Sequence, residues 1–235
     1  MRSRQVVLAV ALSLALVVSG CTRAVVGTPL GDANPPRVAV TDDSFGIRAG
    51  SEDAHVQLEI YTEPQCTHCA DLQHDFGDQF AYYIGTGKVA ITYRPMTFLD
   101  GPGTSGHSAR VANAMFVAAG AAQGGDAGPS ATGRQFQRFV EQLWAHQDPG
   151  GAGPDDATIA EFARAAGLPD DRVRQLLGGA TAKNADDLAA MESTNFGYLY
   201  EVDPVTTGTP TVFDLRAGRK VEVYDDDWLA ALVDS

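Results

Sequence analysis

The chain has 235 residues, with 17 Lys and Arg against 30 Asp and Glu and a formal net charge of -13 at pH 7. That balance leaves no electrostatic footprint for nucleic acid and works against binding to anionic headgroups, so neither is an expected charge-held partner. Three cysteines are too few for a disulfide framework, and each needs its own account.

The N-terminus reads MRSRQVVLAVALSLALVVSGC. Arg2 and Arg4 precede an apolar run from Val6 to Val18, which falls short of the ~20 apolar residues needed to cross a bilayer. This is the layout of an export signal, so residues 1–20 are expected to be signal peptide and are set aside from the fold. Val18-Ser19-Gly20-Cys21 resembles a bacterial lipobox. In that reading Cys21 is acylated with a palmitate-type anchor and becomes the new N-terminus; the plain alternative is an ordinary signal with an incidental cysteine. Lipidation would hold the protein on the extracytoplasmic face of the cell membrane, where disulfides persist, and would leave two thiols in the mature chain. Residues 21–45 mix Pro, Gly, Asp and Ala without periodicity and read as the lipidated end and a flexible tether. The remainder suits one domain.

HVQLEIYT (55–62) alternates Val56, Leu58 and Ile60 with polar neighbours, the pattern of a strand with one strongly apolar face. Cys66 and Cys69 follow. From Ala70 to Ile84, the residues Leu72, Phe76, Phe80 and Tyr83 recur at helical spacing, and Gly85-Thr86-Gly87 ends the helix. KVAITYRPM (88–96) reads as a second strand, and so short a return implies a parallel pair with a right-handed crossover. Helical patterns follow at 108–122, 134–147, 156–167, 170–179 and 182–200, separated by Gly- and Pro-rich joints. TPTVFDL (209–215) and RKVEVY (219–224) flank a turn and predict an antiparallel hairpin, and a last helix runs from Asp226 to Val233. The order is β-α-β, a helical insertion, then β-β-α. The expected divisions are 46–103, 104–200 for the inserted helices, and 201–235.

Two cysteines separated by two residues admit several chemistries. A structural zinc site needs four ligands, and His55, His74, His107 and His146 offer no suitable spacing. Covalent haem needs histidine directly after the second cysteine, where this chain has Ala70. A structural staple across two residues gains little loop entropy. A redox pair has a mechanism. At the start of a helix, unpaired N–H groups and the positive end of the dipole favour a Cys66 thiolate, while Cys69 lies one turn deeper on the same face. His68 is a candidate second stabiliser through its imidazolium; otherwise it is an ordinary solvated histidine. No metal and no organic cofactor is expected.

The Cys66-Thr67-His68-Cys69 motif at a strand-to-helix join, the distant Thr209-Pro210, and the helices inserted before the closing hairpin resemble the thioredoxin superfamily. The similarity is closest to its exported DsbA-like thiol–disulfide oxidoreductases. The resemblance covers about residues 45–235. It implies a thioredoxin fold, a redox-active Cys66–Cys69 disulfide, and a cis Pro210 lying against it, with Thr209 pairing to bound peptide. Glu63 matches an acidic position common in related branches, implying proton transfer to Cys69 or helix capping. The chain departs from the pattern at Thr67, where DsbA has proline, at Gln65, where thioredoxin has tryptophan, and at Ile60, where both carry a buried acid. The implied function is an extracytoplasmic enzyme that forms disulfides in exported proteins, reoxidised by a DsbB-like or VKOR-type membrane partner. A reductase or isomerase would use the same residues. An acidic lipoprotein that only binds a partner, its disulfide structural, is the reading from another class.

Overall fold

The computed structural model describes residues 35–101, 106–123 and 130–235. The expected signal peptide, Cys21 and most of the expected tether lie outside them. A six-stranded sheet has the spatial order β1-β2-β4-β3-β5-β6. Its strands are β1 (Val38–Val40), β2 (Ile47–Ala49), β3 (Val56–Thr62), β4 (Val89–Pro95), β5 (Thr211–Asp214) and β6 (Arg219–Val221). The helices are α1 (Thr67–Gly85), α2 (His107–Ala118), α3 (Gly133–Ala145), α4 (Asp156–Ala165), α5 (Asp170–Leu177), α6 (Ala185–Val202) and α7 (Trp228–Val233), with a 3-10 turn at Phe98–Asp100.

The β3-α1-β4 unit forms as the periodicity predicts. β3 and β4 are parallel, with Ile60 opposite Tyr93 and Tyr61 opposite Arg94. β5 is antiparallel to β3, and β6 to β5. The hairpin is shorter than expected: β5 starts at Thr211, after the Thr209-Pro210 turn, β6 ends at Val221, and α7 starts only at Trp228. The expected tether ends too late. Residues 38–40 form β1 and pair with β2, and Val38 is buried in the core. Gly50 ends β2 at φ 122°, where a Cβ would lie 2.8 Å from the Val89 carbonyl; a side chain would push β2 off β4.

Helices cover both faces of the sheet. On one face, Leu58, Ile60, Ile91 and Tyr93 pack with the Leu72-Phe76-Phe80-Ile84 stripe of α1 and with Phe136 of α3 in one continuous core. Trp228 of α7 meets Phe76 and Phe80 edge-on, at 5.4 and 6.0 Å between ring centres. On the other face, Tyr61 and Met96 pack with Leu199 of α6. So β3 has no solvent face, which corrects the simple alternation reading. Its polar side holds a buried ion cluster: Arg94 Nε lies 2.7 Å from Glu59 and its Nη1 2.6 Å from Asp43, and the Tyr61 hydroxyl donates to Glu59 at 2.6 Å. In the insertion, every residue of α2 but Arg110 is buried. That is the pattern of a helix surrounded by others.

Candidate active site

β3 delivers the chain to the site at its C-terminal end, and Thr62-Glu63-Pro64-Gln65 turns it into α1. Cys66 is the N-cap residue of α1, with extended backbone at φ -74° and ψ 116°. Cys69 falls in the first turn and is 1% exposed, whereas Cys66 is only partly buried. One sulfur therefore faces outward and the other lies in the core. Both are free thiols in this structure.

Across from Cys66 lies the loop before β5, where the Thr209-Pro210 peptide bond is cis, as the resemblance implies. The Cys66 thiol donates to the Thr209 carbonyl at 3.2 Å. The two thiols are driven apart in acidity. Cys66 is lowered to about 5, first by the hydrogen bond from the Cys69 side chain, against the opposing effect of burial, and further by the Thr209 hydroxyl and the N–H groups of Cys69 and His68. The Cys66 side chain itself makes no hydrogen bond of cap geometry to the helix N–H groups, so the backbone contribution is one of facing dipoles. Cys69 is pushed well above the ordinary thiol range by burial and by the neighbouring Cys66 sulfur.

His68 lies where the sequence places it, but its imidazole does not turn to the sulfur. The side chain is 81% exposed, with Nδ1 3.4 Å from Asp71 Oδ2. What His68 brings to Cys66 is its backbone N–H. Adjacency along a helix start does not fix side-chain direction, and here the carboxylate one turn on competes for the ring.

Glu63 is fully buried. It accepts from the Ser108 hydroxyl and, at 2.6 Å, from the Gln65 N–H. Burial pushes its carboxyl up to about 7, with the charges of Asp100 and Cys66 adding to the effect and the two hydrogen bonds opposing it. Sequence reasoning missed the residues around it. Gln65 donates to Asp100 at 2.9 Å and to Ser108 at 3.0 Å, and accepts from the Gly150 N–H at 2.9 Å. Asp100 caps α2 by accepting from the N–H groups of Ser108 and Ala109, at 2.8 and 2.7 Å. Gln147 donates to the carbonyls of Pro64 and Cys66 at 3.0 and 3.2 Å. The insertion thus holds the cysteine turn through polar contacts between residues 43 to 85 positions apart, which no local motif announces.

Beside the cis-proline runs a groove of about 460 Å³, with α1 as one wall and the Gly208–Thr211 turn and the segment after β6 as the other. Among the described residues there is no group of three His, Cys, Asp or Glu that could hold a metal, and no helix long and apolar enough to cross a membrane.

The model of the thioredoxin family designated Thioredoxin_4 matches residues 43–198. Among curated proteins, the chain is 24% identical over 189 residues to the serine/threonine-protein kinase PknE of Mycobacterium tuberculosis and of Mycobacterium bovis. That match takes in 80% of this chain and 31% of the kinase, so the chain spans about a third of the length of these relatives. Among solved structures, the MdbA protein of Corynebacterium matruchotii, a thiol-disulfide oxidoreductase, superposes with a TM-score of 0.62 at 19% identity, covering 83% of this chain and 90% of that one. The reduced DsbA of Mycobacterium tuberculosis gives 0.56 at 20%, covering 81% and 91%. At such identities these likenesses speak for the fold, including the helices between β4 and β5. With the family match across most of its length, the chain belongs to the thioredoxin family and carries that fold in its DsbA-like form.

Proposed function

We propose that this chain is an exported thiol–disulfide oxidoreductase that forms disulfides in other exported proteins through Cys66 and Cys69. The observation that carries the reading is the split between the two sulfurs: an outward Cys66 held near the acidic end of the thiol range, and a core Cys69 held far above it. In the oxidised enzyme only Cys66 can be reached. A substrate thiolate attacks its sulfur, a substrate–Cys66 bond forms, and the Cys66–Cys69 bond breaks with its electron pair going to Cys69. The strongly basic Cys69 thiolate takes a proton, and Glu63, with its carboxyl near 7, is the proposed source. The second substrate thiolate then attacks the substrate sulfur. Cys66 leaves as a stable thiolate, so the substrate loses two electrons and the enzyme gains them.

The direction follows from the same asymmetry. A stabilised thiolate favours the reduced enzyme and makes the disulfide more oxidising. Lowering Cys66 from 9.0 to about 5 favours the reduced form at pH 7 by ~2.7 kcal/mol, or ~60 mV for two electrons. Solvent on the open side of the sulfur screens part of this. Thr209, beside the cis Pro210, offers backbone to a bound peptide. Reoxidation would come from a DsbB-like or VKOR-type membrane partner, and attachment to the outer face of the membrane from acylated Cys21. A glutathione redox titration of the pair tests the direction. A potential more oxidising than about -230 mV supports the disulfide-forming reading, and one below about -270 mV, the thioredoxin range, reverses it.

A further inference from the structure

The groove beside the cis-proline carries charge that the exchange chemistry does not use. Its α1 wall presents His68, Asp71, Leu72, Asp75 and Phe76, an i, i+3, i+4 stripe that begins between the two cysteines. Its far wall adds Asp203, Tyr224 and Asp226. Two of the four aspartates are already engaged: Asp203 takes the Lys220 ammonium at 2.8 Å, and Asp71 faces the His68 ring. Asp75 and Asp226 are exposed, and among the described residues neither side chain has a hydrogen-bond or ion-pair partner. Tyr224 lines the same groove and is 89% exposed. Leu72 and Phe76 form a buried apolar floor. Free carboxylates on facing walls, a bare aromatic ring and an apolar floor complement a long cationic side chain, which lays its stem on the floor and its charge between the carboxylates or over the ring. The groove is continuous with the site, because it includes Thr209 and Pro210 next to Cys66.

We infer that this groove selects cysteine-bearing segments with an arginine or lysine close to the reacting cysteine. The inference rests on the disulfide-exchange reading, since the segment is held where its sulfur meets Cys66. Basic flanks raise the rate of mixed-disulfide formation and acidic flanks lower it. The preference is local to Asp75 and Asp226 rather than a consequence of the chain's overall charge.

The test uses the Cys69→Ala protein, whose Cys66 thiolate attacks short peptides bearing one cysteine capped as a mixed disulfide with thionitrobenzoate. The peptide–thionitrobenzoate bond breaks, the Cys66–peptide bond forms, and the released coloured thiolate reports the rate. Two peptides differ only in Arg or Glu next to the cysteine. The expected ratio of their rates is about tenfold at low salt, shrinking to about threefold at high salt as the charges are screened. Adding Asp75→Asn and Asp226→Asn should bring the ratio close to one. Adding Asp53→Asn and Asp170→Asn, the same charge change at exposed positions outside the groove, should leave it in place. Equal rates for the two peptides, or a ratio that responds alike to both pairs of substitutions, would overturn the inference while leaving the exchange reading intact. Failure of every peptide to release thiolate would bring down the exchange reading and the inference with it.

Discussion

Replacing Cys69 with alanine should raise the Cys66 thiol, and replacing it with serine should not. The hydrogen bond from the Cys69 side chain is the largest single influence holding Cys66 at about 5. Alanine removes the donor, whereas serine keeps an O–H at the same place. A hydrogen bond to a charged acceptor contributes about 1.5–3 kcal/mol, and a thiol donor belongs at the weak end of that range. At 1.36 kcal/mol per unit, the loss amounts to about one to one and a half units, moving Cys66 from about 5 to roughly 6–6.5. The rise stops there because the Thr209 hydroxyl and the N–H groups of Cys69 and His68 remain. The assay is the rate of Cys66 alkylation by iodoacetamide against pH, which follows the thiolate fraction. Identical midpoints for the alanine and serine variants would refute the hydrogen-bond argument. A wild-type midpoint near the ordinary value of about 8.5 would refute the whole electrostatic account of the site.

Glu63 sets a pH dependence of stability of opposite sign to a salt-bridged carboxylate. Its native carboxyl is raised from 4.5 to about 7, so the folded state keeps a proton that the unfolded chain gives up, and stability falls as pH rises between those values. The loss is at most ~3.4 kcal/mol and is complete above pH 7; Glu63→Gln should match wild type in urea melts near pH 4 and exceed it near pH 8. Arg94→Ala strands the buried Glu59 carboxylate and should cost about 3–5 kcal/mol in the same melts, with the Arg94→Met, Glu59→Leu pair costing less than the single change. Phe80→Ala opens a cavity in the core between α1 and α7 and should cost about 3–5 kcal/mol, read as a lower denaturation midpoint at unchanged slope.

The β3-α1-β4 unit was legible because strict alternation passes into a 3.6-residue stripe within 30 residues, and both periods survive burial. β1 and β2 were not, because three residues carry no measurable alternation, and what makes Val38–Val40 a strand is the edge of β2. The buried polar face of β3 was hidden for a related reason. Glu59 and Arg94 lie on separate strands, and what buries them is α6, whose Tyr198 ring stacks 5.0 Å from the Arg94 guanidinium. At the site, the spacing put Cys66 and Cys69 on one face of a helix start with Cys69 a turn deeper; the packing of α1 into the core then buries Cys69 and leaves Cys66 partly exposed. The direction of the His68 ring depended on Asp71, and the setting of Glu63 on Ser108, 45 positions away. Pairings of that range belong to the tertiary fold, so the sequence could offer Glu63 as an acid near the cysteines but not as a buried one.

The most direct test of the central claim is disulfide transfer at known stoichiometry. Oxidised protein is mixed with reduced, unfolded ribonuclease without other oxidant, and the thiols on each partner are counted by mass after alkylation. The account predicts that two thiols appear on the enzyme, at Cys66 and Cys69, for every disulfide gained by the ribonuclease, and that Cys66→Ala abolishes the transfer. An oxidised Cys66–Cys69 pair that persists beside reduced ribonuclease would contradict it.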